Sequence, residues 1–490
     1  MKTTTWISLG LAIGGTIGAC YRHDPTYCGN LNGHESCRYL GLGQYCSLCD
    51  FEKDGCVDSR PSDECLAPFE IPMETEGSTG SSGSNTAGQT VSSGAEPGSE
   101  SSGSSSSGEL ACMSSEDCSG DTPICGPKGE CVRCDAVGDP DGACTEVDWR
   151  APLCVDGRCV ACTAEDTTIC DGQLRICEPV SNTCVDCTEH TQCGAGACRL
   201  DEGLCFPPDQ VVHVDGDGEQ DYMTVNEAIA SFNDGALGVV VLHERVGLAP
   251  YTEPVFVGSS KILALIPAPG EAPSILGTGG SAGITVQDAG STLYLDDLRV
   301  AGGDGSGISC NGARADLRRS RIVQNASGGV LAQASCELSI ENSFIGGTID
   351  NDALYVQSST ASVLYSTVAA SARIAASPAA VRCDGASTVD VRNAILVGAS
   401  DEPEVQCAGA SVTNSASEAD QSGSGNTAVG ALDVTWFEDF VAGDFSLSSV
   451  GGTVFEGIAQ WEIEDPPTDI DGDARPMVDG TADYPGADLP

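Results

Sequence analysis

The chain has 490 residues, with 72 acidic side chains against 22 basic ones and a formal net charge of −50. A surface of this charge repels nucleic acids and anionic lipid headgroups, so the composition excludes binding to either by charge attraction. It favours cations, or solubility outside the cell.

The first twenty residues predict export. The apolar run Trp6–Ile17 is too short to span a bilayer but has the length of a secretory signal core. It ends in the sequence IGAC at residues 17–20, which resembles the bacterial lipobox. That resemblance implies a lipoprotein signal peptide over 1–19, a lipid on Cys20 and, with Tyr21 next, an outer-membrane or cell-surface location. An ordinary cleaved signal, with Cys20 as the first disulfide cysteine, stays open.

The 27 cysteines fall into three blocks, with seven from Cys20 to Cys65, sixteen from Cys112 to Cys205 and four further on. Once a lipidated Cys20 is set aside, every block is even, which is typical of disulfide frameworks in exported chains. Metal binding and thiol–disulfide redox chemistry are less favoured roles for the Cys-Val-x-Cys motifs than structural disulfide bonds. The chain has only five histidines, and none forms a ligand-like pair in the sequence.

Two short segments follow the signal. Residues 20–65 predict a small cysteine-rich module, in which three bridges replace the core that so short a chain cannot bury. Residues 66–110 predict a disordered linker, because Gly and Ser dominate it, most strongly from Gly77 to Gly108.

Residues 111–207 form a cysteine array with a repeat of about 25 residues and almost no aliphatic core. The array resembles the cysteine-rich repeats on large exported proteins of myxobacteria, which look like spacer or interaction modules. The resemblance rests on spacing, and the disulfide connectivity stays open. The sequence suggests units that end on each Cys-Val-x-Cys step, with Cys112 left over: Cys118, Cys125, Cys131 and Cys134; Cys144, Cys154, Cys159 and Cys162; Cys170, Cys177, Cys184 and Cys187; and Cys193, Cys198 and Cys205.

Residues 208–490 predict a solenoid. Short alternating strands recur with a period near 23 residues, and stacking one period on the next buries an aliphatic column that no single period could hide. The sequence therefore predicts an all-β fold, a parallel β-helix. The segment resembles the exported right-handed, pectate-lyase-like β-helix proteins, which implies a right-handed solenoid. Two apolar series carry the period: Leu295, Leu317, Ile340, Val363 and Val391; and Ile284, Ile308, Val330, Leu354, Val381 and Val405.

Both ends of this segment carry signals. Thr224 and Glu227 form a capping box that predicts a short helix plugging the column. The closing sequence resembles the C-terminal stretch of exported parallel β-helix proteins and predicts a C-terminal cap. The matching residues are Gly443, Asp444, Phe445, Leu447, Asp469, Asp471, Gly472, Arg475, Pro476, Gly486, Ala487 and Asp488.

The late cysteines predict bridges between neighbouring coils. Cys383 and Cys407 have the same phase one coil apart, and coils stacked ~4.8 Å apart fit the Cα separation of a disulfide. Cys310 and Cys336 form a second candidate pair, although their phases differ by about three residues.

No residue set predicts a reaction. Tyr251 and Glu253 resemble the Tyr-x-Glu step near the start of pectin methylesterases, but the catalytic stretches of that family are missing, and Gln287-Asp288 does not replace them. Pectate lyases use calcium and an arginine base. The arginines and acids that could form such a face are Arg318, Arg319, Arg321, Arg382 and Arg392, with Asp296, Asp297, Asp316 and Asp390. Outward side chains paired across coils are the simpler interpretation.

The sequence predicts no cofactor and assigns no catalytic or metal-binding residue. Weak calcium binding at turns rich in acidic residues remains an open alternative. Asp469, Asp471 and Asp473 imitate the start of an EF-hand loop, but Ala474 and Gly480 occupy the positions of its glycine and glutamate. A second group alternates with glycine: Asp215, Asp217, Glu219 and Asp221.

The sequence thus predicts a non-catalytic surface lipoprotein in which a cysteine-repeat stalk presents the β-helix to extracellular carbohydrate or a surface protein. A divergent polysaccharide lyase or hydrolase and a structural envelope protein are the alternatives.

Overall fold

The computed structural model describes residues 45–46, 56–57, 112–194, 196–218, 220–347, 351–370, 378–398 and 403–490. The predicted signal peptide with Cys20 and the linker core lie outside these residues, and the 20–65 module is described only as Tyr45–Cys46 paired with Cys56–Val57. The predicted parallel β-solenoid, preceded by a disulfide-rich region dominated by loops, is confirmed. No helix among the described residues is long and apolar enough to cross a membrane.

The cysteine array consists of four complete units, and in each the first cysteine bonds the third and the second bonds the fourth. The unit boundaries suggested by the sequence are therefore wrong by one cysteine: each Cys-Val-x-Cys step joins the last cysteine of one unit to the first of the next. Cys112 opens unit one rather than being left over. The bridges are Cys112–Cys125, Cys118–Cys131, Cys134–Cys154, Cys144–Cys159, Cys162–Cys177, Cys170–Cys184, Cys187–Cys198 and Cys193–Cys205.

A two-stranded antiparallel hairpin in each unit places its third and fourth cysteines side by side, so that each can bridge back to the loop before it. The hairpins pair Ile124–Cys125 with Cys131–Val132, Leu153–Val155 with Arg158–Val160, Ile176–Glu178 with Thr183–Val185, and Cys198–Arg199 with Leu204–Cys205. Helices α1 (Pro140–Val147) and α2 (Thr168–Gly172) carry the second cysteine of units two and three. Short 3-10 turns complete the array: Ser115–Asp117, Cys134–Ala136 and His190–Cys193.

The solenoid has about eight coils, and its strands stack into three parallel sheets. Sheet A contains Val211–Val214, Leu237–Leu242, Ile262–Pro267, Thr292–Asp296, Arg314–Arg318, Glu337–Glu341, Thr360–Leu364, Thr388–Arg392 and Ala410–Thr413. Sheet B contains Tyr251–Thr252, Ser274–Leu276, Arg299–Ala301, Arg321–Val323, Phe344–Gly346, Thr367–Ala369, Ile395–Val397, Ala416–Ser417 and Thr427–Ala428. Sheet C contains Val255–Val257, Ile284–Gln287, Ile308–Asn311, Val330–Gln333, Leu354–Gln357, Val381–Asp384 and Val405–Gln406.

The two apolar series predicted from the period are both confirmed in register. Leu317 pairs with Leu295 on one side and Ile340 on the other, and the ladder continues to Val363 and Val391. The second series, from Ile284 to Val405, forms the matching ladder of sheet C. Both ladders line one buried column. Burying each aliphatic side chain contributes about 1.5–3 kcal/mol, so the column is the main source of stability.

A short helix covers the first coil, as predicted. Helix α3 (Val225–Ser231) begins at Thr224, whose side chain accepts a hydrogen bond from the backbone N–H of Glu227. Val225, Ala228 and Ile229 are buried against the start of the column. Because a strand edge left open invites pairing with other chains, this cover protects the end of the solenoid.

The segment from Val434 onward, for which the sequence predicts a C-terminal cap, lies against the outer face of sheet B. Sheet B turns apolar side chains outward as well as inward, and this segment buries them. The segment holds helix α4 (Ser449–Phe455) and two antiparallel strand pairs, Phe437–Asp439 with Asp444–Leu447 and Ala459–Trp461 with Thr481–Asp483. Its core with sheet B comprises Val323, Phe344, Ala369, Ile395, Val397, Ala416, Trp436, Phe437, Phe440, Phe445, Leu447, Phe455, Ile470 and Ala487.

The motif residues at the end of the chain are structural. Asp469 accepts hydrogen bonds from the backbone N–H groups of Asp471, Asp473 and Leu489, which closes the Asp-rich turn onto the C-terminus. Asp488 accepts a 2.6 Å bond from the backbone N–H of Leu447.

Two disulfides join coils of the solenoid. Cys383 is bonded to Cys407 with a Cα separation of 4.7 Å, and Cys310 is bonded to Cys336 with a separation of 5.8 Å. Cys336 follows a turn, so its side chain reaches Cys310 although the two cysteines are not partners in the ladder.

We expect Asp488 to contribute a free energy of unfolding that rises as the pH falls from 8 to 5. Burial, reinforced by Asp469, Asp471 and Asp444, raises the pKa of Asp488 to about 7, whereas an unfolded Asp titrates near ~3.9. The folded chain therefore binds a proton at Asp488 in this range that the unfolded chain does not, and stability is lost as the pH rises through 7. Urea unfolding at several pH values measures this slope.

Asp488→Asn is the control for that slope, because every other carboxylate stays in place. We expect the dependence on pH between 8 and 5 to be shallower in this variant. Equal slopes in the two proteins would contradict the assignment to Asp488.

Candidate binding cleft on sheet A

The fourth cysteine unit is docked on the first coils of sheet A rather than standing off as part of a stalk. Ala197 and Phe206 pack against outward side chains of the solenoid, among them Val239, Val241 and Tyr294. Phe206 meets the Tyr294 ring edge to face, with centroids 6.0 Å apart. Strands that are apolar on both faces, such as Leu237–Leu242, are explained by this contact.

Polar contacts complete the docking. Asp201 accepts hydrogen bonds from the Tyr294 hydroxyl and, at 2.8 Å, from Nη1 of Arg314. Arg318 donates to the carbonyl oxygen of Thr188 at 3.2 Å. Asp201 thus ties unit four to two successive strands of sheet A, and its contact with Arg314 marks where the covered part of the sheet ends.

Beyond unit four, the outer face of sheet A forms an open cleft of about 320 Å³. Aliphatic residues at the inward positions fill the column, and the outward positions that alternate with them are polar or charged, except for Leu364. Two parallel ladders form the floor: Arg314, Glu337, Thr360 and Thr388; and Asp316, Ser339, Ser362 and Asp390.

The C-terminal segment lies beside the carboxyl ends of the same strands. Ala459 and Trp461 pack against Leu364 and Tyr365. Arg392, at the end of the last cleft strand, forms an ion pair with Asp465, to which its Nη1 donates at 2.9 Å. The cleft therefore has unit four at one end and the C-terminal segment along one side.

The cleft is lined by more acidic side chains than basic ones. Arg314 donates from Nε to Asp316 at 3.0 Å, and burial nevertheless raises the pKa of Asp316, with Arg314 offsetting part of the rise. Glu337 and Asp390 add further carboxylates to the lining. The cleft thus offers carboxylates and hydroxyls as hydrogen-bond partners, with one arginine.

The structure does not gather the arginines singled out in the sequence into one site. Each forms an ion pair with a different acid, so none is presented as a base in the manner of a lyase. The pairs are Arg318–Glu341, Arg319–Asp296, Arg321–Asp471, Arg382–Asp352 and Arg392–Asp465. Asp297, beside this group, has its pKa raised to about 6 by burial and by the charge of Asp296.

Tyr251 and Glu253 both have structural roles. The Tyr251 hydroxyl donates to the carbonyl oxygens of Val214 and His243. Glu253 accepts hydrogen bonds from the backbone N–H groups at the start of helix α3. Both residues thus serve the first coil and helix α3 in this structure.

Gln287 and Asp288 are not placed together as a catalytic pair. Gln287 is the last residue of a sheet C strand and is exposed, whereas Asp288 lies in the next turn and accepts from the backbone N–H of Ser259. The acidic group that alternates with glycine is used in hydrogen bonds to the backbone, and its Glu219 lies outside the described residues. Asp215 and Asp217 accept from the backbone N–H groups of Asp217 and Val246.

Asp316 and Asp390 are too far apart for hydrolysis by that pair. Three strand spacings of ~4.8 Å separate them, which places their Cα atoms about 14 Å apart. Glycosidases need carboxyl groups ~5–9.5 Å apart.

Sequence reasoning missed two features of this surface. One is the cover formed by unit four, because cysteine spacing carries no information about docking. The other is a histidine pair, His213 and His243, whose ring nitrogens lie 3.0 Å apart. The two residues are separated by 30 positions, which is close to one coil, and only the coil length could have brought them together.

The comparisons with known proteins cover one part of the chain. A family model described as a family of unknown function (DUF8331) matches residues 98–211. No curated protein and no solved structure matches the chain. The matched range holds all four cysteine units and ends at Val211, where the first strand of sheet A begins.

Proposed function

We propose that the chain is an exported bacterial surface lipoprotein, anchored through Cys20, whose solenoid binds a carbohydrate chain without turning it over. The cleft on sheet A is the observation that carries this proposal. Its hydroxyl and carboxylate ladders repeat at every strand, ~4.8 Å apart, a spacing comparable with the advance of one sugar along an extended glycan.

Charge narrows the ligand class. Glu337, Asp316 and Asp390 line the cleft of a chain with net charge −50, and such a surface repels polyanions. A neutral glycan avoids this repulsion and still uses the carboxylates, which accept hydrogen bonds from sugar hydroxyl groups. The proposed ligand is therefore a neutral polysaccharide rather than an anionic one such as pectate.

Hydrolysis is the second candidate, favoured by one observation. Asp316 is a carboxyl group with a raised pKa, and Glu337 lies on the next strand of the same cleft. Two acids in different environments are what general acid–base catalysis of glycan cleavage requires.

The test measures binding and turnover of the full exported chain on neutral, anionic and amino glycans, with and without calcium. Ser362→Trp fills the cleft floor, and we expect it to weaken binding by about 30- to 150-fold, as two or three hydrogen bonds of ~1 kcal/mol each are lost. Ser309→Trp is the matched control, because Ser309 faces outward on sheet C.

Binding of a neutral glycan that falls in Ser362→Trp but not in Ser309→Trp supports the proposal. Equal affinity of the two variants for the glycan would show that the cleft is not the binding site. The absence of binding to any glycan on the panel would show that the ligand is not a carbohydrate. Turnover that Glu337→Gln abolishes would establish the hydrolase instead.

A further inference from the structure

Two histidine rings meet at the downstream end of the first strands of sheet A. His213 lies on Val211–Val214 and His243 directly follows Leu237–Leu242, and both side chains point away from the column. Nδ1 of His213 is 3.0 Å from Nε2 of His243, and the rings are tilted by 35°. Both rings are partly exposed.

A carboxylate fixes the orientation of the second ring. Nδ1 of His243 lies 3.2 Å from Oε1 of Glu271, so it carries the proton that this bond needs. The other carboxylate oxygen, Oε2, accepts from the backbone N–H of Glu244 and is thereby held in place. With its proton on Nδ1, His243 presents the lone pair of Nε2 toward His213.

This is the arrangement by which a carboxylate orients a metal-binding histidine. The surroundings are also negative. Asp221 accepts from the backbone N–H of His213 at 3.0 Å, and Asp217 anchors the loop that follows His243 through the N–H of Val246. Arg245 is the neighbouring cation; it donates to the carbonyl oxygen of Pro250 and lies over the Tyr251 ring.

From this geometry we infer that His213 and His243 form a binding site for a divalent transition-metal ion, with Glu271 as the positioning residue behind His243. The inference is independent of the carbohydrate cleft. The ion takes the place of the proton between the rings: the Nδ1 proton of His213 moves to its own Nε2, both histidines bind as neutral ligands, and water or a ligand group fills the remaining positions.

The chemistry of the two ligands selects among metals. Neutral imidazole nitrogens suit first-row divalent ions, and Cu²⁺ has the highest affinity of these ions for imidazole ligands. The site therefore prefers Cu²⁺ over Zn²⁺.

Histidine and cysteine elsewhere do not offer a competing set among the described residues. His190 is buried, and its Nδ1 accepts from the backbone N–H of Cys198. The clustered cysteine sulfurs of the four units are all bonded in disulfides.

The test is titration of the full, chelator-treated chain with CuCl₂, without reductant so that the bridges stay closed. It is followed by calorimetry and by electron paramagnetic resonance, in which each bound nitrogen splits the copper signal. We expect one Cu²⁺ with splitting from two nitrogens, and a weaker Zn²⁺ isotherm. His213→Gln and His243→Gln should each remove the two-nitrogen signal. Glu271→Gln should keep the signal but weaken Cu²⁺ by about 10- to 100-fold.

Glu438→Gln is the matched control for Glu271→Gln, because it removes the same charge from an exposed position in the C-terminal segment; it should bind as the parent does. His23 and His34 are present in every variant, so any copper that they bind cancels in the comparison. A two-nitrogen signal as strong in both histidine variants as in the parent would overturn the site. So would an affinity that Glu271→Gln and Glu438→Gln lower equally, or Zn²⁺ binding as tight as Cu²⁺.

Discussion

Replacing Arg475 with methionine should lower the free energy of unfolding by about 3–5 kcal/mol, the usual cost of breaking a buried ion pair on one side. The Arg475 side chain is 0% exposed and its Nη1 lies 3.1 Å from Oδ2 of Asp483, which is 3% exposed. It also donates to the carbonyl oxygens of Tyr484 and Gly486, and its guanidinium lies 4.0 Å from the centroid of the Tyr365 ring. Methionine fills similar volume but leaves Asp483 buried without its partner.

Besides lowering the free energy of unfolding, Arg475→Met should disturb the structure locally. Arg475 joins the C-terminal segment to the solenoid through Tyr365, so the variant should release that segment and expose the apolar outer face of sheet B. Urea unfolding measures the energy, and binding of a hydrophobic dye measures the exposure. Arg475→Lys should recover only part of the stability, because lysine keeps the charge but not the planar set of donors.

Arg158→Met is the control for this prediction. Its ion pair with Asp121 is exposed, at 64% and 74%, and exposed pairs contribute ~0–1 kcal/mol. If Arg475→Met were as stable as Arg158→Met, the buried pair could not be what holds the C-terminal segment in place.

Replacing Asp201 with alanine should undock unit four from sheet A. The Tyr294 hydroxyl and the Arg314 guanidinium both lose their acceptor, and hydrogen bonds to charged groups contribute ~1.5–3 kcal/mol each. We expect about 2–4 kcal/mol less stability and oxidative labelling of Tyr294, which is 1% exposed in the parent. Mass spectrometry after hydroxyl-radical footprinting detects that labelling.

Asp135→Ala is the matched control, because Asp135 pairs with Arg133 in an exposed bridge at 2.9 Å within the array. It should leave Tyr294 protected. Protection of Tyr294 in Asp201→Ala as well would show that the apolar contacts of Phe206 and Ala197 hold unit four without the acid.

The buried column was predictable because its residues repeat. Leu317, Ile340 and Val363 recur at the coil period, and a single sequence shows both that period and the alternation around it. The column is also the part in which local pattern and long-range packing require the same residues.

The positions of unit four and of the C-terminal segment on the solenoid were not predictable, because the residues that hold them do not repeat. Val241 and Phe344 face outward, but their strands are apolar on both sides, so alternation cannot tell which partner buries them. The position of the C-terminal segment depends on pairs such as Arg321–Asp471, which are 150 residues apart. Sequence separation of that kind leaves no periodic signal.

The candidate sites were predictable only in part. Asp316 and Asp390 were recognised as outward acids, but a cleft exists only because unit four stops at Arg314. His213 and His243 become neighbours only once the length of the first coil is known.

The placement of the boundaries between cysteine units has a consequence for how such arrays can change length. Two residues separate the last cysteine of each unit from the first of the next, at Cys131–Cys134, Cys159–Cys162 and Cys184–Cys187. A gene duplication or deletion that starts and ends at these joints adds or removes whole units, each with both of its disulfides, and leaves no cysteine without its partner. Such chains can therefore gain or lose reach in modular steps while oxidative folding continues to give the same pairing.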